Sequence, residues 1–449
     1  MSHLLIKAKT IVTMDRDRRV IQHGGLVIRD NLIERVLTSS ELEQVSVFEG
    51  SVVNASGLVM IPGFVQTHIH LCQTLFRGLA DDLDLLDWLR LKIFPFEAAH
   101  SSSSAYASAM AGIADLVRSG TTTIMDMGTV HHEEDIIRAV KETGIRAFVG
   151  KAMMDINTIY TPLKETTSEA LSTTRALAEK WHRAERGRIR YAVAPRFVLS
   201  CTDSLLQEAF EMTRSFPGML FHTHAAENRR EMEKVRKRCR MGNIEHFDTL
   251  HILDSNTCLA HCIWVDDREM SLMEERAVKV AHCPSANLKL GSGIAPVPRM
   301  RNHRITVSLG ADGAPCNNAL DMFHEMRLAA LIQKPEHGPS VMDAFTVFEM
   351  ATLGGAAALS LSDEVGSIEA GKKADIALLD LTGVWNPYTE QNADTVYSTI
   401  VYSGSAENVR SVMIDGIWVY SSGMHETLDE EAVKKSARHE LQQLLGRMQ

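Results

Sequence analysis

The chain has 449 residues, 45% of them hydrophobic and 23% charged, with a formal net charge of −10 and only 6% aromatics. That length holds a large core, and one barrel-sized domain plus a smaller one fits it. An acidic chain without a basic stripe argues against a nucleic-acid partner, and the lack of any apolar run of about 18 residues argues against a membrane span.

The opening stretch MSHLLIKAKTIVTMDRDRR is broken by Lys7, Lys9 and Asp15 and lacks the apolar centre of a signal peptide. The seven cysteines, Cys72, Cys201, Cys239, Cys258, Cys262, Cys283 and Cys316, are odd in number and scattered. Free thiols in a reducing cytoplasm are expected rather than a disulfide framework.

In chain order, the first 55 or so residues read as short strands and turns, with one turn at Asp30-Asn31. Eight apolar strand segments then alternate with helical patterns: MIPGFVQTHIH, GTTTIMDMGTV, RAFVGKAMMD, IRYAVAPRFVL, GMLFHTHAAE, TCLAHCIWV, AVKVAHCPSANL and ITVSLGADGA. Helical stretches such as SAYASAMAGIADLVRSG and DSLLQEAFEMTRSF lie between them. Eight strand-then-helix units over some 300 residues predict an α/β fold, a closed (β/α)8 TIM barrel, rather than an open doubly wound sheet. The C-terminal part returns to strands, KADIALLDL and NVRSVMIDGIWVYSSG, and ends in a polar helical pattern.

Polar residues gather where the predicted strands end. His68 and His70 close the first, Arg196 the fourth, His222, His224 and Glu227 the fifth, His261 the sixth, His282 the seventh and Asp312 the eighth. Catalytic groups of such barrels sit at the C-terminal strand ends. Strand side chains alternate with period two, so His68 and His70 share a face, as do His222 and His224. Two imidazoles in an apolar cup either hydrogen-bond to backbone or bind a metal; the further residues on the other strands favour the metal. His68, His70, His224 and Asp312 offer three nitrogens and one oxygen and leave room for water. Glu227 stands beside that water. His222 is expected to be a buried packing residue. His261 is expected to act as an acid-base or to stabilise an oxyanion, and His282 to support the site or pack. A structural zinc site from the two His-Cys pairs, His261-Cys262 and His282-Cys283, has the wrong spacing. There is no G-x-S-x-G elbow and no Walker A motif. The H-x-E with P-C-x-x-C pattern of the zinc deaminases that act on nucleosides and single-stranded bases is absent too, because PCNNA lacks the second cysteine.

PGFVQTHIH, HTHAAEN, LAHCIW, AHCPSANLKLGSGIAPV and LGADGAPCNNALDMFHEMRLAAL together resemble the amidohydrolase superfamily, in its metal-dependent aminohydrolase branch. That branch includes guanine deaminase, the deaminases of S-adenosylhomocysteine, methylthioadenosine and 5′-deoxyadenosine, and the s-triazine hydrolases. The resemblance runs from about residue 5 to residue 420. It implies a barrel over residues 58–364 and a small β-sandwich from residues 1–57 and 365–449, the latter with the closing helix. It implies one divalent metal ion, Zn2+ or Fe2+, on the four ligands named above, with Glu227, His261 and Asp312 carrying protons. The implied reaction is attack of metal-bound hydroxide on the amino-bearing carbon of an N-heterocycle, with release of ammonia. An s-triazine hydrolase could expel chloride or an amine by the same attack.

The resemblance divides over the ring. Adenosine-type members carry a histidine where this chain has Arg196. Arg196, Gln73 and the segment around Lys151 are similar to guanine deaminase, whereas ADGAPCNN is similar to the deoxyadenosine and triazine enzymes. Glu97 matches a ribose-contacting position of the adenosine type but is shared with guanine deaminases. The expected substrate is a purine or related bicyclic ring with a lactam edge for Arg196 and Gln73, with His261 also near it; the alternative is that Arg196 pairs with a carboxylate such as Glu97 and never touches substrate. A small-molecule substrate is expected, and a homo-oligomer is compatible with the sequence.

Overall fold

The computed structural model of the protein describes residues 3–157, 160–383, 386, 388 and 395–448. The larger sheet has ten strands, two of them two-residue pieces (Ala152–Met153 and Asp312–Gly313), and its eight principal strands are β1 (Phe64–His70), β2 (Thr121–Met127), β3 (Arg146–Gly150), β4 (Ile189–Pro195), β5 (Leu220–Ala225), β6 (Thr257–His261), β7 (Lys279–His282) and β8 (Thr306–Leu309). Neighbours run parallel from β1 to β8. Beyond β8, Asp312 and Gly313 pair in parallel with Ile69 and His70, which brings the last strand back to the first. Thr67 ties the same seam: its hydroxyl lies 2.7 Å from that of Ser308 and 3.1 Å from the Leu309 carbonyl. Gly310 is required there, because a Cβ would sit 2.7 Å from the His68 carbonyl oxygen and 2.9 Å from its nitrogen.

The helices form where the sequence supplies caps. Ser101 and Thr202 accept from the Ser104 and Leu205 amides and start helices Ser102–Arg118 and Asp203–Thr213. Their apolar faces, among them Ile113, Leu116, Leu205 and Phe210, join the outward side chains of the strands in the main core. Inside the barrel, Val65, Met125, Phe148, Ala192, Leu220, Cys258 and Ala281 meet Ala356, Leu359, Leu361 and Val365 in a separate cluster. That cluster fills the barrel and makes a dry floor beneath the strand ends.

Both chain ends supply a second, nine-stranded sheet. Strand His3–Val12 pairs in parallel with Ser51–Pro62, which pairs antiparallel with Ile376–Leu379. Ile6, Leu26, Ile28, Met60, Ile376 and Met413 form its own core. The architecture is thus the expected (β/α)8 barrel with a small sheet domain made from both ends. Two predicted segments change in detail. Met60–Pro62 belong to the small sheet rather than to β1. The β7 strand stops at His282, because Pro284 opens the short helix Pro284–Lys289, where its fixed φ and missing N–H suit the first turn.

A buried ion pair joins the two units. Arg146, at the start of β3, donates from Nε and Nη2 to the two carboxylate oxygens of Asp375 at 2.8 and 2.9 Å. Asp375 also accepts from the Asp415 amide at 2.8 Å. Removing one partner leaves the other charge buried, which costs about 3–5 kcal/mol. Arg146→Ala is therefore expected to lower stability in urea denaturation by about that amount; a change below about 1 kcal/mol would show that the pair is not what docks the small sheet.

Candidate metal centre

At the C-terminal rim of the barrel the backbone is shaped to turn side chains inward. The pairing register of β1 against β2 shifts between Gln66 and Ile69. Such an irregularity re-aims the side chains beyond it: Val65 belongs to the floor cluster, Ile69 faces the helices, and His68 and His70 both reach the cup. On β6, Cys258 belongs to the floor cluster and Leu259 to the helix-facing core, so simple alternation would turn His261 outward. His261 instead takes φ 73° and Cys262 φ 48°. Asp312 also has a positive φ, 60°. Residues other than glycine rarely adopt these values, and they concentrate at functional sites.

The side chains converge. Asp312 Oδ1 lies 3.3 Å from His68 Nε2 and 3.2 Å from His70 Nε2. His70 Nε2 is 3.3 Å from His224 Nε2. One ligand atom each of His68, His224, His261 and Asp312 lies within 4.8 Å of the others. His261 Nε2 lies 3.6 Å from Glu227 Oε2 and 4.0 Å from Asp312 Oδ2.

Each imidazole is held by its other nitrogen. His70 Nδ1 donates to the Met127 carbonyl and His224 Nδ1 to the Arg196 carbonyl, both at 2.7 Å. His261 Nδ1 is 2.8 Å from the Asn287 amide oxygen, and His68 Nδ1 is 2.8 Å from His222 Nε2. A ring that donates from Nδ1 turns an Nε2 lone pair into the cup. His68 Nε2 and His261 Nε2 are buried with no hydrogen-bond partner among the described residues. Neutral, inward-facing imidazoles beside a carboxylate, with outer N–H groups fixed by acceptors, are the donor set that a divalent cation requires.

The electrostatics agree. Burial pushes His68 and His224 well below the usual imidazole range, and the neighbouring histidines depress His224 further. Burial lowers His261 as well. For Asp312, burial acts upward, but the hydrogen bonds and charges of the surrounding histidines outweigh it and hold the carboxyl well below its ordinary value. Glu227 goes the other way: burial, then the charges of Asp312 and Glu231, raise it well above the carboxylate range. Two adjacent carboxyls with opposed proton affinities suit Asp312 to take a proton only in passing and Glu227 to hold one.

Arg196 takes the alternative partner, the Glu97 carboxylate, and Gln73 joins it there. Both Nη atoms of Arg196 donate to Glu97, at 2.7 and 3.1 Å, and Gln73 Nε2 donates to the same carboxylate at 2.8 Å. Arg196 still lines the cleft beside the cluster, with His70, His224, Glu227, Asp312 and Phe197. No sequence motif singles out Leu85, Trp88 and Leu89, which roof that cleft, or Asn287, which fixes His261. The apolar stretch LDLLDWL holds the only hint of the roof. Free space under it is about 20 Å³, against roughly 300 Å³ or more in typical small-molecule sites. A wider groove of about 390 Å³ lies between helices Ser102–Arg118 and Glu430–Arg447 and carries none of the clustered groups. His222 lies behind His68 rather than in the cup. His282 is fully buried with both ring nitrogens unpartnered among the described residues, and burial drives it down to about 3.

With this geometry, the comparisons with known proteins are decisive for class. The amidohydrolase family model matches residues 59–419, and the chain belongs to that family. It is 34% identical over 449 residues, all of both chains, to a 5-methylthioadenosine/S-adenosylhomocysteine deaminase of Desulforamulus reducens. It is 37% identical to a 5′-deoxyadenosine deaminase of Methanothermobacter thermautotrophicus, across 95% of this chain and 96% of that one. Among solved structures it superposes on a zinc-bound adenosine deaminase from Xanthomonas campestris with a TM-score of 0.92, at 28% identity and 99% coverage of both chains. The protein is a hydrolase of carbon–nitrogen bonds, a hydrolytic deaminase of the amidohydrolase family.

Elemental analysis of purified protein is expected to find about one divalent ion per chain, lost to a strong chelator. About two per chain would call for a second set of ligands, and none in an active preparation would refute the metal centre.

Proposed function

We propose that the protein removes the exocyclic amino group of an adenosine-type purine nucleoside, of the class of 5′-deoxyadenosine, methylthioadenosine and S-adenosylhomocysteine. The observation that carries this is the Glu97 carboxylate beside the cleft, gripped by Arg196 and Gln73. It spends on a protein carboxylate the donors that a lactam edge would need. The full-length relatives named for such substrates support the same choice. A guanine-like oxo-purine is the second reading, favoured by the guanidinium of Arg196 lining the cleft where the adenosine type has a histidine.

In this reading His68, His70, His224 and Asp312 hold the ion. His70 is preferred to His261 as a ligand because it is nearer Asp312 Oδ1 and also touches His224, whereas His261 faces Asp312 Oδ2 and Glu227. Zinc fits the nitrogen and oxygen donors, and iron(II) shares them. When bound, the ion supplies the Lewis acidity that makes water reactive near neutral pH.

The chain's own groups do the rest. Glu227 takes a proton from the attacking water and delivers it to the ring nitrogen next to the amino-bearing carbon. His261, held in place by Asn287, presents Nε2 where charge develops on the incoming oxygen. Asp312, through Oδ2, takes the second proton from the attacking oxygen and passes it to the departing nitrogen. A C–O bond forms, the C–N bond breaks, and ammonia leaves. Trp88, Leu85 and Leu89 cover the ring and exclude bulk water. The seven cysteines are all unpaired, consistent with work in a reducing cytoplasm.

Glu227→Gln is expected to keep its metal and lose about 10²- to 10⁴-fold in turnover; near-normal turnover would remove Glu227 from the mechanism. Ammonia release from 5′-deoxyadenosine and methylthioadenosine is expected to outpace release from guanine and pterins. The reverse order would establish the oxo-purine reading and overturn the nucleoside one.

A further inference from the structure

His222 is fully buried and makes two short contacts. Its Nδ1 lies 2.9 Å from the Cys258 carbonyl oxygen, and its Nε2 lies 2.8 Å from His68 Nδ1. A carbonyl oxygen only accepts, so Nδ1 of His222 carries the proton. A buried imidazolium with no anion against it is costly, so the ring is neutral and its Nε2 is an acceptor. His68 must then donate from Nδ1, which leaves the His68 Nε2 lone pair facing Asp312, where no other donor meets it. The chain Cys258 carbonyl, His222, His68 thus runs in one direction only. His70 and His224 donate straight to backbone carbonyls. His68 instead uses a second imidazole as a spacer between its ring and the carbonyl.

We infer that His222 is a positioning residue that fixes the tautomer and ring orientation of His68 and thereby the hold of the site on its metal. The first histidine of the HTH motif, on β5, would then serve the first histidine of the HIH motif, on β1, across the barrel. This inference rests on the metal-dependent reading of the site.

The test uses the metal-loaded full-length protein. Its readouts are metal content by elemental analysis and the rate of zinc transfer to a colorimetric chelator. His222→Phe keeps ring volume but removes the acceptor. His222→Gln keeps an amide oxygen near the position of Nε2. Thermal melting confirms folding. The Phe variant is expected to release zinc about 10- to 100-fold faster than the parent, the usual cost of losing an outer partner of a ligand histidine. The Gln variant is expected to stay within about threefold of the parent.

A folded Phe variant that holds zinc like the parent would overturn the inference. So would a folded Gln variant that releases zinc as fast as the Phe variant, since an acceptor would then not be what matters. If the Phe variant does not fold, the Gln variant decides alone: parent-like retention supports the inference, and rapid loss overturns it. Parent protein that binds no metal would defeat the metal-dependent reading itself, which separates the two failures.

Discussion

The site depends on one closure. The parallel pairing of Asp312 and Gly313 with Ile69 and His70 joins the last strand to the first and sets a carboxylate against two imidazoles that are over 240 residues away in the chain. Locally, the Cys316 thiol approaches Asp312 Oδ2 at 3.3 Å, but the pairing with β1 is what sets the carboxylate beside the imidazoles. The approach needs Gly310, whose missing side chain lets the two backbones meet beside His68. It also needs the Thr67 and Ser308 hydroxyls, which satisfy each other inside an otherwise apolar seam. A parallel sheet closes only when every strand is in register, so the barrel's whole core, from the Val65 floor cluster to the helix-facing side chains, stabilises the geometry of a few polar atoms.

Closure brings together groups that would be unstable without a shared purpose. Four imidazoles are buried within contact of one another, and burial pushes His68, His224 and His261 below the usual imidazole range. Each turns its donor outward to a fixed acceptor: Met127, Arg196, His222 or Asn287. The lone pairs are left facing inward toward Asp312. Arg196 shows how tightly the layers interlock. Its carbonyl orients His224, while its guanidinium neutralises Glu97 at the edge of the cleft. One residue therefore ties the imidazole cluster to a buried carboxylate, and a change at Arg196 disturbs both contacts.

Much of this is legible in the sequence because the decisive signals are local. The period of two places His68 with His70 and His222 with His224, and the repeated alternation of strand and helix specifies the barrel and puts those residues at strand ends. The rest depends on three dimensions. Alternation alone would turn His261 away from the cup; its left-handed backbone turns it back, and no residue type announces that. Asn287 falls inside the segment AVKVAHCPSANL, which reads as a strand, yet it lies on a proline-initiated helix and its amide oxygen is 2.8 Å from His261 Nδ1. The sequence leaves Arg196 two partners, a lactam edge or a carboxylate such as Glu97, which lies 99 residues earlier, and only the fold shows the second in place. Leu85, Trp88 and Leu89 carry no chemical signature and become significant only because they roof the cleft.

The central claim is that inward-facing neutral imidazoles and Asp312 make a nitrogen-and-oxygen metal centre, although the Cys316 thiol lies 3.3 Å from Asp312 Oδ2. X-ray absorption spectroscopy of the zinc-loaded protein tests this directly. The account predicts a first shell of nitrogen and oxygen near roughly 2.0–2.2 Å, with the outer-ring scattering of about three imidazoles and no sulfur. A scatterer near roughly 2.3 Å, the distance of a zinc–thiolate bond, or a shell with no imidazole signature, would contradict it.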